Sequence, residues 1–275
     1  MNEVSDDDLT ALLHEMREAA RAEVLPRFLA ITADGIRTKT APDDLVTDAD
    51  IGAERRLSQT LTSRFPGAFV LGEEAVSSDG SLLDRLAEAP LSIIIDSVDG
   101  TWNFAHGAPI FGMIVAIVSA GRTIAGAIHY PVTGDFLVAR PGQGAWHVAG
   151  DGTRVRLKLA PPRPLEAMRG FVSLHMFPEG ERAGLAQRAL RFARTTSWGC
   201  SAFEYRLIAT GAMDFSLNAS LMPWDHAAGA LIYTEAGGHA ALLSGESYAP
   251  TLTAGRLLLA PDAHSWELVA AAFTR

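Results

Sequence analysis

Apolar side chains recur at helical spacing in two segments of the amino-terminal region. The first stripe predicts a helix over residues 6–29, which carries several leucines on one face. The second stripe predicts a helix that begins at Thr47 or Asp48 and runs to residue 64. A Pro-Gly pair at residues 66–67 stops this second helix, so the chain is expected to change structure there.

After residue 67, short apolar runs replace the helical stripes. Runs separated by turn residues predict strands at 68–71, 91–95, 110–118, 123–129 and 135–140, the last three as an antiparallel meander. Beyond the prolines at 161–164 the two patterns alternate, with strands expected near 169–174, 212–217, 240 and 257, and helices at 181–193, 201–210, 225–235 and 264–273. The pattern predicts helices packed on mixed sheets in two linked halves, residues 1–160 and 161–275.

The charge of the chain limits its partners. The 275 residues include 23 Lys and Arg and 32 Asp and Glu, so the formal net charge is 23 − 32 = −9. Nucleic acids and anionic membranes bind concentrated Lys and Arg, so this balance argues against a nucleic-acid polymer or a membrane surface as partner. Taken alone, it also argues against a phosphate-containing substrate.

Cysteine usage and the leader region bear on the compartment. Cys200 is the only cysteine, which excludes an internal disulfide and a Cys-rich zinc site. The acidic first ten residues do not resemble a secretory signal, and the longest apolar stretch, residues 108–121, is too short to span a bilayer. We therefore expect a cytoplasmic protein without a membrane segment.

The candidates for chemistry are carboxylates rather than known nucleotide or hydrolase motifs. The chain contains no P-loop, GxGxxG, GxSxG or HExxH string, and its histidines show no ligand spacing. Asp96 follows the predicted strand 91–95, and Asp99 comes three residues later, directly before Gly100. Two such carboxylates suit a hard cation such as Mg²⁺, and the glycine lets a ligand approach the backbone. The alternative is an ordinary Asp-Gly turn.

Three further acidic sites have both a chemical and a purely structural explanation. Glu73 ends an apolar run, where it could bind metal or activate water, or could be a solvated loop acid. Asp225 precedes a helix of small residues and could be only its N-cap. Asp50 lies in the first turn of a predicted helix, for which Thr47 or Asp48 is the expected cap.

Four strings, taken together and in this order, closely resemble the inositol monophosphatase family of Mg²⁺-dependent, lithium-sensitive phosphatases. They are Val46-Thr-x-x-Asp50, Gly72-Glu-Glu74, Asp96-x-x-Asp-Gly-Thr101-x-Asn-Phe104 and Trp224-Asp-x-Ala-Ala-Gly229. The resemblance extends over nearly the whole chain, to Glu235-Ala-Gly-Gly238. It implies an α+β fold, a layered αβαβα sandwich of the sugar-phosphatase type, with two or three Mg²⁺ ions between its sheets.

The resemblance also implies a role for each matching residue. It assigns Glu73, Asp96 and the Val98 carbonyl to the first ion, Asp96, Asp99 and Asp225 to the second, and Asp50 and Glu73 to a weaker third. Thr101, together with Glu73, is expected to orient and deprotonate the attacking water. The backbone N–H groups of Gly100 and Thr101 are expected to hold the phosphate.

The positions expected to contact the substrate depart from the family pattern. Cys200 and Ser201 stand where relatives carry small or hydroxyl residues that touch the leaving group, and Trp102 adds bulk beside the phosphate site. Asn218 stands where inositol-using members carry an acid that binds ring hydroxyls. An amide makes weaker hydrogen bonds than a carboxylate does, which argues against myo-inositol 1-phosphate as the substrate.

The expected activity is Mg²⁺-dependent hydrolysis of a small, inositol-phosphate-like monoester to an alcohol and inorganic phosphate by metal-activated water. The superfamily leaves open a histidinol-phosphatase, a fructose-1,6-bisphosphatase, a 3′(2′),5′-bisphosphate nucleotidase or a catalytically silent ligand-binding homologue. The resemblance also implies a homodimer. Because two Mg²⁺ ions would cancel four site carboxylates, the acidity of the chain does not exclude a small phosphate ester.

Overall fold

The strands in the described part of the chain form three sheets. The computed structural model describes residues 3–30, 32, 35–39, 41 and 44–274. A small antiparallel sheet contains β1 (Ile36–Thr38) and β2 (Leu45–Thr47). The seven-stranded sheet contains β3 (Phe69–Gly72), β4 (Leu91–Asp99), β5 (Gly112–Ser119), β6 (Arg122–Tyr130), β7 (Asp135–Ala139), β8 (Ala145–Val148) and β9 (Arg154–Arg156). The five-stranded sheet contains β10 (Arg169–Val172), β11 (Arg194–Thr196), β12 (Phe215–Asn218), β13 (His239–Leu242) and β14 (Leu257–Ala260).

Helices lie on the faces of the two large sheets. They are α1 (Asp6–Ala19), α2 (Asp48–Arg64), α3 (Glu73–Ser78), α4 (Leu82–Glu88), α5 (Thr101–Ala105), α6 (Glu179–Ala189), α7 (Ser201–Ala209), α8 (Pro223–Glu235) and α9 (Ala263–Thr274). None of the helices in the described ranges has the length and apolar character needed to cross a membrane.

The large sheets differ in strand direction. In the first, β3 and β4 are parallel, and each later strand pairs antiparallel with the one before it, which confirms the predicted meander. The second has the order β11-β10-β12-β14-β13, with parallel pairs around β10 and antiparallel pairs around β14.

Three apolar clusters define the layers. Helices α1 and α2 pack on one face of the seven-stranded sheet, around Leu12, Leu57 and Ile95. The opposite face packs on α7 and α8, which separate it from the five-stranded sheet, around Ile94, Tyr205 and Leu259. Helices α6 and α9 cover the outer face of the five-stranded sheet. The order is helix, sheet, helix, sheet, helix, so the predicted layered α+β fold is confirmed.

The amino-terminal helix is shorter than the apolar stripe predicts. The α-helix ends at Ala19 and continues as a π-helix over Ala20–Val24, and residues 25–30 form turns. Pro26 has no backbone N–H and its ring crowds the preceding turn, so a helix to residue 29 is unfavourable. The second helix confirms the prediction, with Thr47 as its N-cap and Arg64 as its last residue.

Strand β4 is longer than predicted. It continues through Asp99 rather than ending at residue 95, with an irregularity in its pairing to β5 between Asp96 and Asp99. Such a bulge re-aims the side chains that follow it. The predicted strand end at residue 95 is therefore wrong, because the glycine turn comes only at Gly100 and both carboxylates belong to one bent, fully buried strand.

Candidate metal centre

Three carboxylates from distant parts of the chain meet between the two large sheets. Asp96 and Asp99 come from the end of β4, and Asp225 comes from the first turn of α8, which packs against β4. One oxygen from each carboxylate lies within 4.8 Å of the others. This spacing allows one cation to contact all three side chains.

The start of α8 excludes the N-cap explanation for Asp225. Met222 is the N-cap of α8 and Pro223 is its first residue, so Asp225 lies inside the first turn and does not cap the helix. Its Oδ1 accepts a hydrogen bond from the Ser201 hydroxyl at 3.3 Å. The proline fixes the helix start two residues before the aspartate, and the carboxylate then faces the cluster.

Asp96 is the least satisfied member of the cluster. Its Oδ1 is buried and has no hydrogen-bond partner among the described residues. Burial, followed by the negative charges of Glu73, Asp99 and Asp225, raises the pKa of Asp96 well above its usual range. An unpartnered buried carboxylate oxygen beside other carboxylates is unfavourable unless a cation joins them. The donor set is all oxygen, which fits a hard cation such as Mg²⁺.

Asp99 connects the cluster to the start of α7. Its carboxylate accepts hydrogen bonds from the backbone N–H of Ser201, at 3.1 Å, and from that of Ala202. The Cys200 thiol donates to the same carboxylate at 3.0 Å. Burial raises the pKa of Asp99 to about 6, although these donors oppose the rise. Cys200 and Ser201 therefore lie beside the carboxylate cluster, and Cys200 is buried.

Asp50 and Thr101 are in direct contact. The Thr101 hydroxyl lies 3.0 Å from Asp50 Oδ1 and 2.9 Å from the Val98 carbonyl oxygen, and it can donate to either. Asp50 Oδ2 accepts from the backbone N–H and the hydroxyl of Thr47, as part of the capping box of α2. Burial raises the pKa of Asp50 to about 6. The expected pairing of Thr101 with Glu73 is absent among the described contacts, and Asp50 takes that place.

Glu73 is held by a lysine that sequence reasoning missed. It is the first residue of the short helix α3, rather than part of a loop, and its Oε1 lies 2.8 Å from Lys39 Nζ. Lys39 also contacts Glu74 Oε1 at 2.7 Å, and its side chain is 10% exposed. Burial alone would lower the pKa of Lys39, but the two glutamates raise it above its usual value, so the lysine stays charged.

Gly100 brings the backbone close to the cluster. It has a φ of +88°, which side chains rarely adopt, and it precedes α5. A Cβ at this position would lie 2.7 Å from the Ile110 carbonyl oxygen and 3.0 Å from Cys200 Cβ. Only glycine fits this turn, which leads directly from Asp99 to Thr101.

A cavity of about 970 Å³ opens beside the cluster. Asp99, Thr101 and Asp225 line this cavity, and so do Trp102 and Asn218. The Trp102 side chain is 48% exposed. The cavity wall includes eight of the predicted site residues: Glu73, Asp99, Gly100, Thr101, Cys200, Ser201, Asn218 and Asp225. Asp50, Asp96 and Val98 are not among the residues that line it.

Comparisons with known proteins agree with this arrangement. The model of the inositol monophosphatase family matches residues 7–275. A fructose-1,6-bisphosphatase/inositol-1-monophosphatase from Thermotoga maritima is 32% identical over 78% of this chain and 77% of its own length. A histidinol-phosphatase from Mycobacterium tuberculosis is 32% identical over 88% of this chain and 90% of its own length. The solved structure of a Thermotoga maritima IMPase superposes with a TM-score of 0.80 at 25% identity, covering 97% of this chain and 96% of that one.

The layered α+β fold with an acidic cluster between its sheets is that of a metal-dependent phosphatase. The chain belongs to the inositol monophosphatase family, whose members are phosphoric monoester hydrolases. This family is metal-dependent, with Mg²⁺ as the typical ion, and the cluster of Asp96, Asp99 and Asp225 could bind such an ion. The predicted family and enzyme class are therefore confirmed.

Proposed function

We propose that this protein hydrolyses a small phosphate monoester in a Mg²⁺-dependent reaction in the cavity beside Asp99 and Asp225. The observation that carries the proposal is Asp96 Oδ1, a buried carboxylate oxygen without a partner among the described residues, inside a cluster of three carboxylates. Such an oxygen is suited to a cation and unsuited to a purely structural role.

The proposed metal ligands are the residues that the family resemblance implies. They are Glu73, Asp96, Asp99 and Asp225, with the Val98 carbonyl and Asp50 as further oxygen donors. Bound Mg²⁺ supplies positive charge that offsets the charge developing on phosphate oxygens and lowers the pKa of a nearby water. We propose that two or three Mg²⁺ ions bind to these residues.

Thr101 and Asp50 are proposed to accept the proton of the attacking water. The Thr101 hydroxyl can donate to Asp50 Oδ1, which leaves its lone pairs directed to a water in the cavity. Asp50 is a carboxylate within hydrogen-bond reach of that hydroxyl, which is the geometry that a proton acceptor needs. Glu73 is engaged by Lys39, so we assign Glu73 to metal binding and to the electrostatics of the site.

The turn at Gly100 is proposed to hold the phosphate. The backbone N–H groups of Gly100 and Thr101 follow the metal-binding strand β4 directly, and the absence of a side chain at Gly100 leaves the turn compact. Backbone N–H groups bind phosphate oxygens without adding a positive side-chain charge, which would repel the metal. Cys200, Ser201 and Asn218 are proposed to contact the leaving group.

Histidinol phosphate is a second candidate substrate. The Mycobacterium tuberculosis histidinol-phosphatase matches 88% of this chain. Asn218 also lacks the charge that we expect of a residue binding inositol hydroxyls.

We further propose that the protein is a cytoplasmic homodimer that Li⁺ inhibits. Sedimentation analysis tests the homodimer, and assays with added Li⁺ test the inhibition.

Release of inorganic phosphate tests the proposed activity. The parent protein is assayed with Mg²⁺ or EDTA on inositol 1-phosphate, histidinol phosphate, fructose 1,6-bisphosphate and 3′-phosphoadenosine 5′-phosphate. We expect Mg²⁺-dependent release from at least one ester, and its abolition in Asp96→Asn and Asp225→Asn. Asp84→Asn, at an exposed position of α4, is the matched control. Turnover retained in either site variant would overturn the metal assignment. A parent that binds Mg²⁺ but hydrolyses none of the esters would favour a silent homologue.

A further inference from the structure

One buried carboxyl group beside the cavity has no role in the proposed hydrolysis. Glu204, on α7, lines the cavity and is buried, with 6% relative exposure. Its Oε1 accepts a hydrogen bond from the backbone N–H of Trp198 at 3.1 Å. No other group in the described ranges donates a hydrogen bond to this carboxyl. A buried carboxyl with unused acceptor capacity that faces a cavity is suited to a ligand that donates hydrogen bonds or carries positive charge.

The cavity lacks the residues that bind a second phosphate. Of the described residues that line it, none is Lys or Arg. Its bases are two histidines, His175 and His226. The ring nitrogens of His226 contact the Ser220 carbonyl oxygen at 2.9 Å and the Tyr205 hydroxyl at 3.1 Å. Both ring nitrogens of His226 are therefore already engaged.

Lys39, which contacts the cavity residue Glu73, is also engaged. Lys39 pairs with Glu73 and Glu74 and is not among the residues that line this cavity. A phosphate or carboxylate on the leaving group would thus meet Glu204 without a described Lys or Arg on the cavity wall to balance it. Once Glu204 is ionised, binding an anion here is unfavourable, since like charges in a partly desolvated site repel strongly.

The aromatic side chains of the cavity also favour a positively charged ligand. Trp102 lines the cavity, is 48% exposed, and stacks on His106 with a ring-centroid distance of 4.1 Å. The face of an indole attracts cations through its quadrupole. Trp198, whose backbone N–H binds Glu204, lines the cavity as well.

We propose that the cavity wall that includes Glu204, Trp102 and Trp198 selects phosphate monoesters whose alcohol carries an ammonium or another cationic group, and disfavours bisphosphates. This inference rests on the proposed function and goes beyond it, because it chooses among leaving groups that metal and phosphate binding alone do not distinguish. Glu204 is a specificity-determining residue in this proposal, and it takes no part in the chemical step.

A matched series of esters tests the proposal. Aminoalkyl phosphates with two to five carbons are compared with alkyl phosphates that carry a methyl group in place of the ammonium group, so each pair differs in charge at nearly constant size. Assays with Mg²⁺ run at about pH 8.5, above the pKa of about 8 that burial gives the Glu204 carboxyl. We expect kcat/KM to favour the amine by at least about tenfold at one or more chain lengths, as charge-assisted hydrogen bonds do.

Glu204→Gln keeps the acceptor for Trp198 and removes the charge. We expect it to lower the ratio of kcat/KM between amine and alkyl ester by about tenfold, while Glu88→Gln, at an exposed position of α4, leaves the ratio unchanged. A ratio near one at every chain length in the parent would overturn the proposal, and this measurement does not depend on how the variant folds. So would a ratio that survives Glu204→Gln, or a preference for fructose 1,6-bisphosphate.

The outcome separates this inference from the proposed function. If no ester releases phosphate, the proposed hydrolysis fails. Calorimetric binding of aminoalkyl and alkyl phosphonates in the presence of Mg²⁺ then decides the question of charge, because the phosphonates need no turnover. We expect the amine to bind at least about tenfold more tightly, and equal binding would overturn the inference.

Discussion

The carboxyl group of Glu54 occupies the space where a side chain at Gly72 would lie. A Cβ built on Gly72 would be 2.1 Å from Glu54 Cδ. The buried carboxylate accepts hydrogen bonds from the backbone N–H groups of Glu74, at 2.9 Å, and Ala75, at 3.0 Å. Glu54 therefore fixes the start of α3 from the neighbouring helix α2, and α3 begins at Glu73, a proposed metal ligand.

Replacing Gly72 by Ala should destabilise the protein by about 2–3 kcal/mol, because the added methyl group displaces Glu54 from its hydrogen bonds. Denaturant unfolding of the metal-free protein measures this loss. Gly80→Ala is the matched control, because nothing lies within 4 Å of a Cβ at Gly80. An equal stability for Gly72→Ala and the parent would contradict the contact between Glu54 and the start of α3.

The sequence predicts the layers and the proposed ligands better than it predicts what holds those ligands. The apolar periods give both long helices, the meander and the alternation beyond residue 160, because each depends on local spacing. Lys39 and Glu54 were missed, since their contacts with Glu73 and Glu74 depend on how α2, α3 and the β1–β2 segment pack together. No local pattern in the sequence marks such pairs.

The same limit explains the errors at the two aspartate sites. An apolar run that ends at residue 95 predicts the end of the strand there, yet tertiary pairing with β5 keeps β4 extended to Asp99, and the glycine turn comes only at Gly100. An acid before a run of small residues predicts an N-cap, yet Pro223 starts α8 earlier and places Asp225 in the first turn. In both cases the structure brings the predicted carboxylates together, and their local geometry is decided by neighbours distant in sequence.

The metal-free protein should lose stability as the pH rises from about 5 to 8. Burial raises the pKa of Asp50 and of Asp99 to about 6, and that of Glu204 to about 8. Burial also lowers the pKa of His129 and of His226 to about 4, which opposes this trend below about pH 6.5. The raised carboxyls outnumber these two histidines, so the folded state binds more protons than the unfolded state and the free energy of unfolding falls with increasing pH. Unfolding in EDTA at several pH values measures the slope. Glu204→Gln should flatten its upper part, and a stability that increases with pH across the window would contradict the assignment.

Asp96→Asn should stabilise the metal-free protein while it removes activity. The substitution keeps the shape of the side chain and removes a buried charge that Glu73, Asp99 and Asp225 repel. At about pH 8.5 we expect the free energy of unfolding in EDTA to rise by about 1–3 kcal/mol. The same variant should gain less stability than the parent when Mg²⁺ is added, since ligand binding stabilises only the state that binds it.

Asp84→Asn removes an exposed charge and is the control for this comparison. It should change the unfolding free energy little and leave the response to Mg²⁺ intact. If Asp96→Asn destabilises the metal-free protein, then the carboxylate has a stabilising role that its unpartnered oxygen does not suggest. If Mg²⁺ stabilises Asp96→Asn as much as the parent, Asp96 is not a ligand.

The hydroxyl of Thr101 should be required for turnover and dispensable for folding. Thr101→Val keeps the shape and removes the hydroxyl, whose oxygen lies 3.0 Å from Asp50 Oδ1 and 2.9 Å from the Val98 carbonyl oxygen. We expect kcat to fall by about 100-fold or more, the scale of lost acid–base catalysis, with the Mg²⁺ dependence of stability retained. Thr101→Ser, which restores the hydroxyl, should recover kcat to within about tenfold of the parent. Equal activities for the Val and Ser variants would show that the water is oriented by other groups, and would separate Asp50 from the proton transfer.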